Sequence, residues 1–62
     1  MDLRTYLFNR RMKISEFARK IDFSAVHLYR IVHGPIIPSK KLARIIERET
    51  GGQVTVEELR GK

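Results

Sequence analysis

An all-α domain, a compact bundle of about five short helices, is the fold class this chain predicts, and three observations carry that expectation. Ile14, Phe17, Ala18 and Ile21 recur at i, i+3, i+4 and i+7, which places them on one face of a helix. Across residues 24–33, Leu28 and Ile31 point inward with Val32 beside them, while Val26, Tyr29, Arg30 and His33 fall on the opposite face. Cap and stop residues bracket these runs: Ser24, Ser39 and Thr55 can each cap a helix start, and Gly34, Pro35 and Gly51-Gly52 can end one.

Taken in order, helix 1 is expected from Asp2 to about Arg10, with Leu3 and Leu7 on one face and Tyr6 next to them. Asp2 sits where an acid favours a helix N-terminus, and Arg10 and Arg11 where bases favour its end. Helix 2 covers Ile14 to Ile21, and Asp22-Phe23-Ser24 interrupts the period before helix 3, Ser24 to His33. Gly34 supplies a C-cap and Pro35 forbids continuation, so Pro35-Ile36-Ile37-Pro38 reads as a rigid, extended connector. Helix 4 starts after Ser39, carries Leu42, Ile45 and Ile46 at helical spacing, and ends at Gly51-Gly52. Gln53-Val54 is expected to be a short extended piece. Thr55-Val56-Glu57-Glu58 matches a capping box, opening a last short turn with Leu59 inward.

The 62 residues form one domain, 1–62, and 42% hydrophobic content with regular spacing argues for a folded chain rather than a disordered tail. There is no cysteine to staple so small a core, so its stability must come from well-packed helices, with a partner subunit as a further source. Absent cysteine fits a reducing compartment, no apolar run reaches the roughly 18 residues that span a bilayer, and no signal-peptide pattern opens the chain. A cytoplasmic location without membrane contact is the expectation. A chain of this size leaves no room for a separate sensor domain, so regulation is expected through concentration, competition or a partner.

Charge is the second strong signal. The formal net charge is +6, and it is unevenly placed. Residues 1–44 carry ten Lys and Arg against three acids, a net +7, whereas residues 45–62 carry three bases and four acids, a net −1. A basic body with a near-neutral tail points to a polyanionic partner met by the first two-thirds of the chain, although a merely well-solvated basic surface has the same composition. Two short helices around a tight turn at residues 14–33, the second with one buried and one presented face, follow the logic of a DNA-binding helix-turn-helix.

With those residues in view, the chain resembles the Cro/repressor-type helix-turn-helix proteins of phages and bacteria, and among them the small Cro-like prophage regulators. The resemblance covers nearly the whole chain: an opening LxxYL at Leu3 to Leu7, EFARKI at Glu16 to Ile21, Ser24 ahead of helix 3, Arg30-Ile31 and Gly34 late in it, and ERETGGQVTVEEL from Glu47 to Leu59. It implies a lambda-repressor-like bundle that binds double-stranded DNA, a transcriptional regulator acting as a repressor by occupying its operator, and a homodimer on two half-sites about 34 Å apart. Three positions depart from the family pattern. Its usual turn glycine is Asp22 here, a residue that tolerates φ > 0 better than most. Its usual Thr-Gln at the start of helix 2 is Lys13-Ile14. Its usual Gln or Ser early in the recognition helix is Ala25-Val26, so the glutamine-to-adenine contact does not carry over.

Apolar Ala25 and Val26, opening helix 3 behind Ser24, can lie against a thymine methyl but cannot hydrogen-bond a base edge. Polar readout then falls to His27, Tyr29 and Arg30. The Arg30 guanidinium can pair bidentately with guanine O6/N7 or with a phosphate, and spacing does not choose between them. Tyr29 can donate to a phosphate or pack on a sugar. His27, on the flank near Ile31, fits a half-buried structural role as well as a base contact, and His33 beside Gly34 suits a cap or backbone contact better than base reading. Lys13 and Ser15 are placed for one strand's phosphates, where helix-start amides also favour an anion, and Lys40 and Lys41 for phosphate on the other flank. Each lysine is equally compatible with a plain solvated side chain. The dimer surface is sought at the Pro35–Pro38 connector, with Ile36 and Ile37, or around Val54 and Val56; at least one of the two isoleucines belongs to the core.

Other functions find less support. His27 and His33 lie six apart and share no helical face, so they make no metal pair, and no cysteine offers a nucleophile or ligand. Gly51-Gly52 lacks the Lys-Ser/Thr of a phosphate loop. No enzyme activity, cofactor or small-molecule ligand is expected. The rival reading is a protein-interaction module on the same fold, antirepressor-like or antitoxin-like, in which Ala25 and Val26 meet another protein.

Overall fold

Every helix of this protein begins where a carboxylate or hydroxyl takes over an amide that the helix itself cannot pair. The computed structural model describes residues 1–34 and 36–61, which form five helices and no strand: α1 (Leu3–Arg10), α2 (Ile14–Lys20), α3 (Ala25–His33), α4 (Lys40–Glu49) and α5 (Val56–Arg60). Asp2 Oδ1 accepts from Thr5 N–H at 2.7 Å, Ser24 Oγ from His27 N–H at 3.3 Å, and Ser39 Oγ from Leu42 N–H at 3.2 Å. At α5 the capping box is complete: Glu58 N–H donates to Thr55 Oγ1 at 3.1 Å and Thr55 N–H to Glu58 Oε1 at 3.0 Å. At α2 only half of such a box forms, with Lys13 N–H donating to Glu16 Oε1 at 2.9 Å, because lysine has no acceptor to return the bond.

Three helix ends close in the same way, by paired 6→1 and 5→2 main-chain bonds around one left-handed residue. After α1, Met12 N–H donates to Leu7 O and Arg11 N–H to Phe8 O, with Arg11 at φ 53°. After α2, Phe23 N–H donates to Ala18 O and Asp22 N–H to Arg19 O, with Asp22 at φ 57°. After α4, Gly52 N–H donates to Glu47 O and Gly51 N–H to Arg48 O, with Gly51 at φ 66°. Asp22 therefore has the backbone expected of it. Arg11 is a left-handed residue that charge logic alone had placed as an ordinary helix-end base. The residues following these two, Met12 and Phe23, both pack against the core.

The core is one cluster drawn from the helices and their flanks. Leu3, Tyr6 and Leu7 of α1, Phe17 and Ala18 of α2, Leu28 and Ile31 of α3, Leu42 and Ile46 of α4, and Val54 are buried together. Tyr6 and Phe17 meet edge to face at 6.3 Å, and the Arg10 guanidinium lies 5.1 Å over the Tyr6 ring. α2 packs on α3, α1 on α3 and α4 on α5. A radius of gyration of 10.1 Å matches the roughly 10.6 Å of a well-packed chain this long.

Three expectations need correction, and one on the connector holds. Gln53-Val54 is a bend rather than an extended piece, and Val54 is fully buried, so it offers no surface to a second subunit. Both facts come from Thr50, whose buried Oγ1 accepts from Val54 N–H and donates to Glu47 O, each at 3.1 Å, pulling the chain back across the end of α4. Ile45 is partly exposed and Ala43 takes the buried position beside Leu42 and Ile46. In the connector, Ile36 packs on the core while Ile37 is 64% exposed; Pro35 lies outside the described residues. The connector is tied down by Arg60, which donates from a guanidinium nitrogen to Pro38 O at 2.9 Å.

Three measurements test this construction. Asp22→Gly relieves a left-handed cost of about 1 kcal/mol while adding unfolded-chain entropy of about the same size, so the thermal midpoint should stay level or rise; a fall beyond about 4 °C would contradict the turn. Thr50→Val keeps the shape but leaves the buried Val54 N–H unpaired, and urea denaturation should show a loss of about 1–3 kcal/mol. Asp2 is held below its ordinary 3.8 by the Thr5 amide, and Glu58 below its ordinary 4.5 by the Met1 ammonium, 2.6 Å from Oε2, and then by the Thr55 amide. Carboxylates with depressed folded values contribute stability above their unfolded values and lose it as pH falls through the folded ones. Thermal stability should therefore be level above pH 4.5 and drop on acidification below it, less steeply in Glu58→Gln.

Candidate nucleic-acid interface

The four residues between α2 and α3 decide what the second helix presents. With α2 closed by the Phe23 and Asp22 amides and α3 opened by Ser24, the chain reverses within these four residues, and Leu28 and Ile31 are driven into the core. The other side of α3 is then left outside. Val26 is 65% and Tyr29 55% exposed, and Arg30 and His33 are exposed with them.

Between the start of α2 and this outer face runs an open groove of about 500 Å³, lined by Ile14, Ser15, Ala25, Val26, Tyr29 and Arg30. Five of the residues expected to touch DNA thus converge on one surface. Its chemistry is unusual for so basic a chain: three aliphatic side chains, two hydroxyls and one guanidinium, with no carboxylate among the described lining residues. A second concavity of about 340 Å³ continues past Ser15 to Arg19, Asp22, Phe23 and Ala25.

Other expected residues are elsewhere or otherwise engaged. Ser24 spends its hydroxyl on the His27 amide, so its part is to hold the helix start. The His27 ring stands edge-on to Phe23 at 5.2 Å, outside the groove and beside the turn. His33 does not cap its helix, which the Gly34 amide closes on Arg30 O at 3.0 Å; its ring packs on Tyr29 with centroids 4.2 Å apart, which restrains the phenol on the outer face. Lys13 is exposed, yet the amide at its position is already taken by Glu16, whose carboxylate opposes the anion-binding helix start expected there. Lys41 lines a separate recess of about 280 Å³ between the turn and the start of α4, with Asp22, Phe23, Ser39 and Ile45 among its walls. Lys40 is exposed beside it.

Two contributors were not singled out from the sequence. Ile14 was assigned to the core face and is half-buried, with its remaining surface in the groove wall. Arg19 is exposed and follows Ser15 by one helical turn, so the i, i+4 spacing on the outer side of α2 could have found it. Lys20, by contrast, is 3.8 Å from Glu49 and links α2 to the end of α4, a surface pair worth at most about 1 kcal/mol.

Compared with known proteins, the chain matches no family model, no curated protein and no solved structure. Its own chemistry is what speaks for the site: an exposed helix face carrying Arg30, with exposed Arg19 of the preceding helix lining the adjoining concavity, in a chain of net charge +6. No helix among the described residues is long and apolar enough to cross a membrane.

Proposed function

We propose that this protein is a sequence-specific double-stranded DNA-binding regulator of the Cro/repressor helix-turn-helix type, laying α3 in the major groove and repressing by occupying operator DNA. The observation that carries the reading is the outward presentation of Tyr29 and Arg30 on a helix whose other face is core, in a groove shared with exposed Ser15 and adjoined by exposed Arg19. An α-helix fits the major groove, and a guanidinium on it can reach guanine O6/N7 or a phosphate. Cations on the neighbouring helix then meet the sugar-phosphate strand and set register.

One short helix offers few base contacts, each worth about 1–3 kcal/mol, so two copies on adjacent half-sites are part of the proposal. Among the described residues of the connector, Ile37 is an exposed apolar one that such an arrangement could cover. A second reading, docking of a protein partner, is favoured by the aliphatic part of the groove at Ile14, Ala25 and Val26.

Mobility shift with random and genomic duplexes separates the two. About five to seven phosphate contacts per complex should make affinity fall by about 500- to 6,000-fold between 50 and 200 mM salt. Arg30→Ala should weaken binding to the preferred duplex by tenfold or more. Weak, sequence-blind binding that is indifferent to Arg30→Ala would instead support the protein-docking module.

A further inference from the structure

The groove that faces the proposed DNA is built to read something other than hydrogen bonds, and the inference that follows rests on the DNA-binding reading. The side chains of Ile14, Ala25 and Val26 have no donor or acceptor, and Val26 projects into solvent with 65% of its surface exposed. Aliphatic surface in this position gains from an occupant only if that occupant is apolar. The same groove carries Arg30 and no carboxylate among its described lining residues, which suits an apolar group attached to a polyanion. On the edges of base pairs in the major groove one apolar group is on offer, the C5-methyl of thymine.

We propose that the surface of Ile14, Ala25 and Val26 receives thymine C5-methyl groups, while Arg30 anchors the helix through a guanine or a phosphate. Specificity at the start of α3 is then methyl and shape readout, and the preferred half-site contains thymine where Val26 approaches. Tyr29, its ring braced by His33, borders the methyl-binding surface and supplies a hydroxyl at its edge.

The test uses the full chain and duplexes enriched by it from a random library. The enriched pool is resynthesised with dUTP in place of dTTP, which removes every C5-methyl and leaves the Watson–Crick edges unchanged. Affinity should fall about fourfold for each methyl contacted and about fifteenfold for two. Val26→Ala, at an exposed helical position, should shrink the ratio of thymine-pool to uracil-pool affinity. Arg30→Ala should lower affinity for both pools and leave that ratio unchanged. Equal affinity for the two pools, or a thymine preference untouched by Val26→Ala, would overturn the inference while DNA binding stands. If no duplex is enriched at all, both it and the DNA-binding reading fall.

Discussion

The closure of α2 at Asp22 is the constraint on which the rest depends. Phe23 N–H reaches back to Ala18 O at 2.8 Å only if Asp22 turns left-handed, and that turn aims the chain so that Ser24 can open α3 at once. Phe23 itself drops onto the core, and its ring gives the His27 imidazole an edge to rest on. Because α3 is anchored at both ends, by the Ser24 cap and by Leu28 and Ile31 in the core, its free face has no rotational choice. What is displayed there follows from what is buried on the other side.

Arg30 and three aliphatic side chains share one groove, with Arg19 in the concavity beside it, and their conjunction gives the site its character. Cations alone would hold any polyanion through its phosphates, with affinity but no choice of sequence. Aliphatic side chains alone would favour any apolar partner. Together they suit a charged strand decorated with small apolar groups, which is how a thymine-containing major groove presents itself. Lys41 lines a different recess, together with Asp22, and does not enter the groove.

Away from this groove, three links hold the connector and the C-terminal turn in place. Arg60 ties the end of α5 to Pro38, the Met1 ammonium joins Gln53 O and Glu58, and Thr50 folds the chain so that Val54 seals the core. In a chain of 62 residues the hydrophobic core is small, so such links across the connector and the C-terminal turn count for more than they would in a larger domain.

Caps, stops and helical spacing are local properties, and they place all five helices to within a residue or so. The left-handed Asp22 is expected only from the turn glycine that the resemblance implies, whereas Ser39 ahead of α4 and the Thr55–Glu58 box could each be read directly, since a cap depends on atoms three or four residues apart. The outward set on α3 was legible for the same reason, as Leu28 and Ile31 leave Val26, Tyr29 and Arg30 facing away. Packing settled what spacing leaves open. Thr50 buries a hydroxyl and takes Val54 inside, Ile45 gives its place to Ala43, and Ile14 serves the core and the groove wall together. Helical period assigns a side chain to a direction, but whether another element stands in that direction is a property of the assembled bundle, and so burial at Val54, the shared duty of Ile14 and the groove itself arise only when α2, α3 and α4 are brought together.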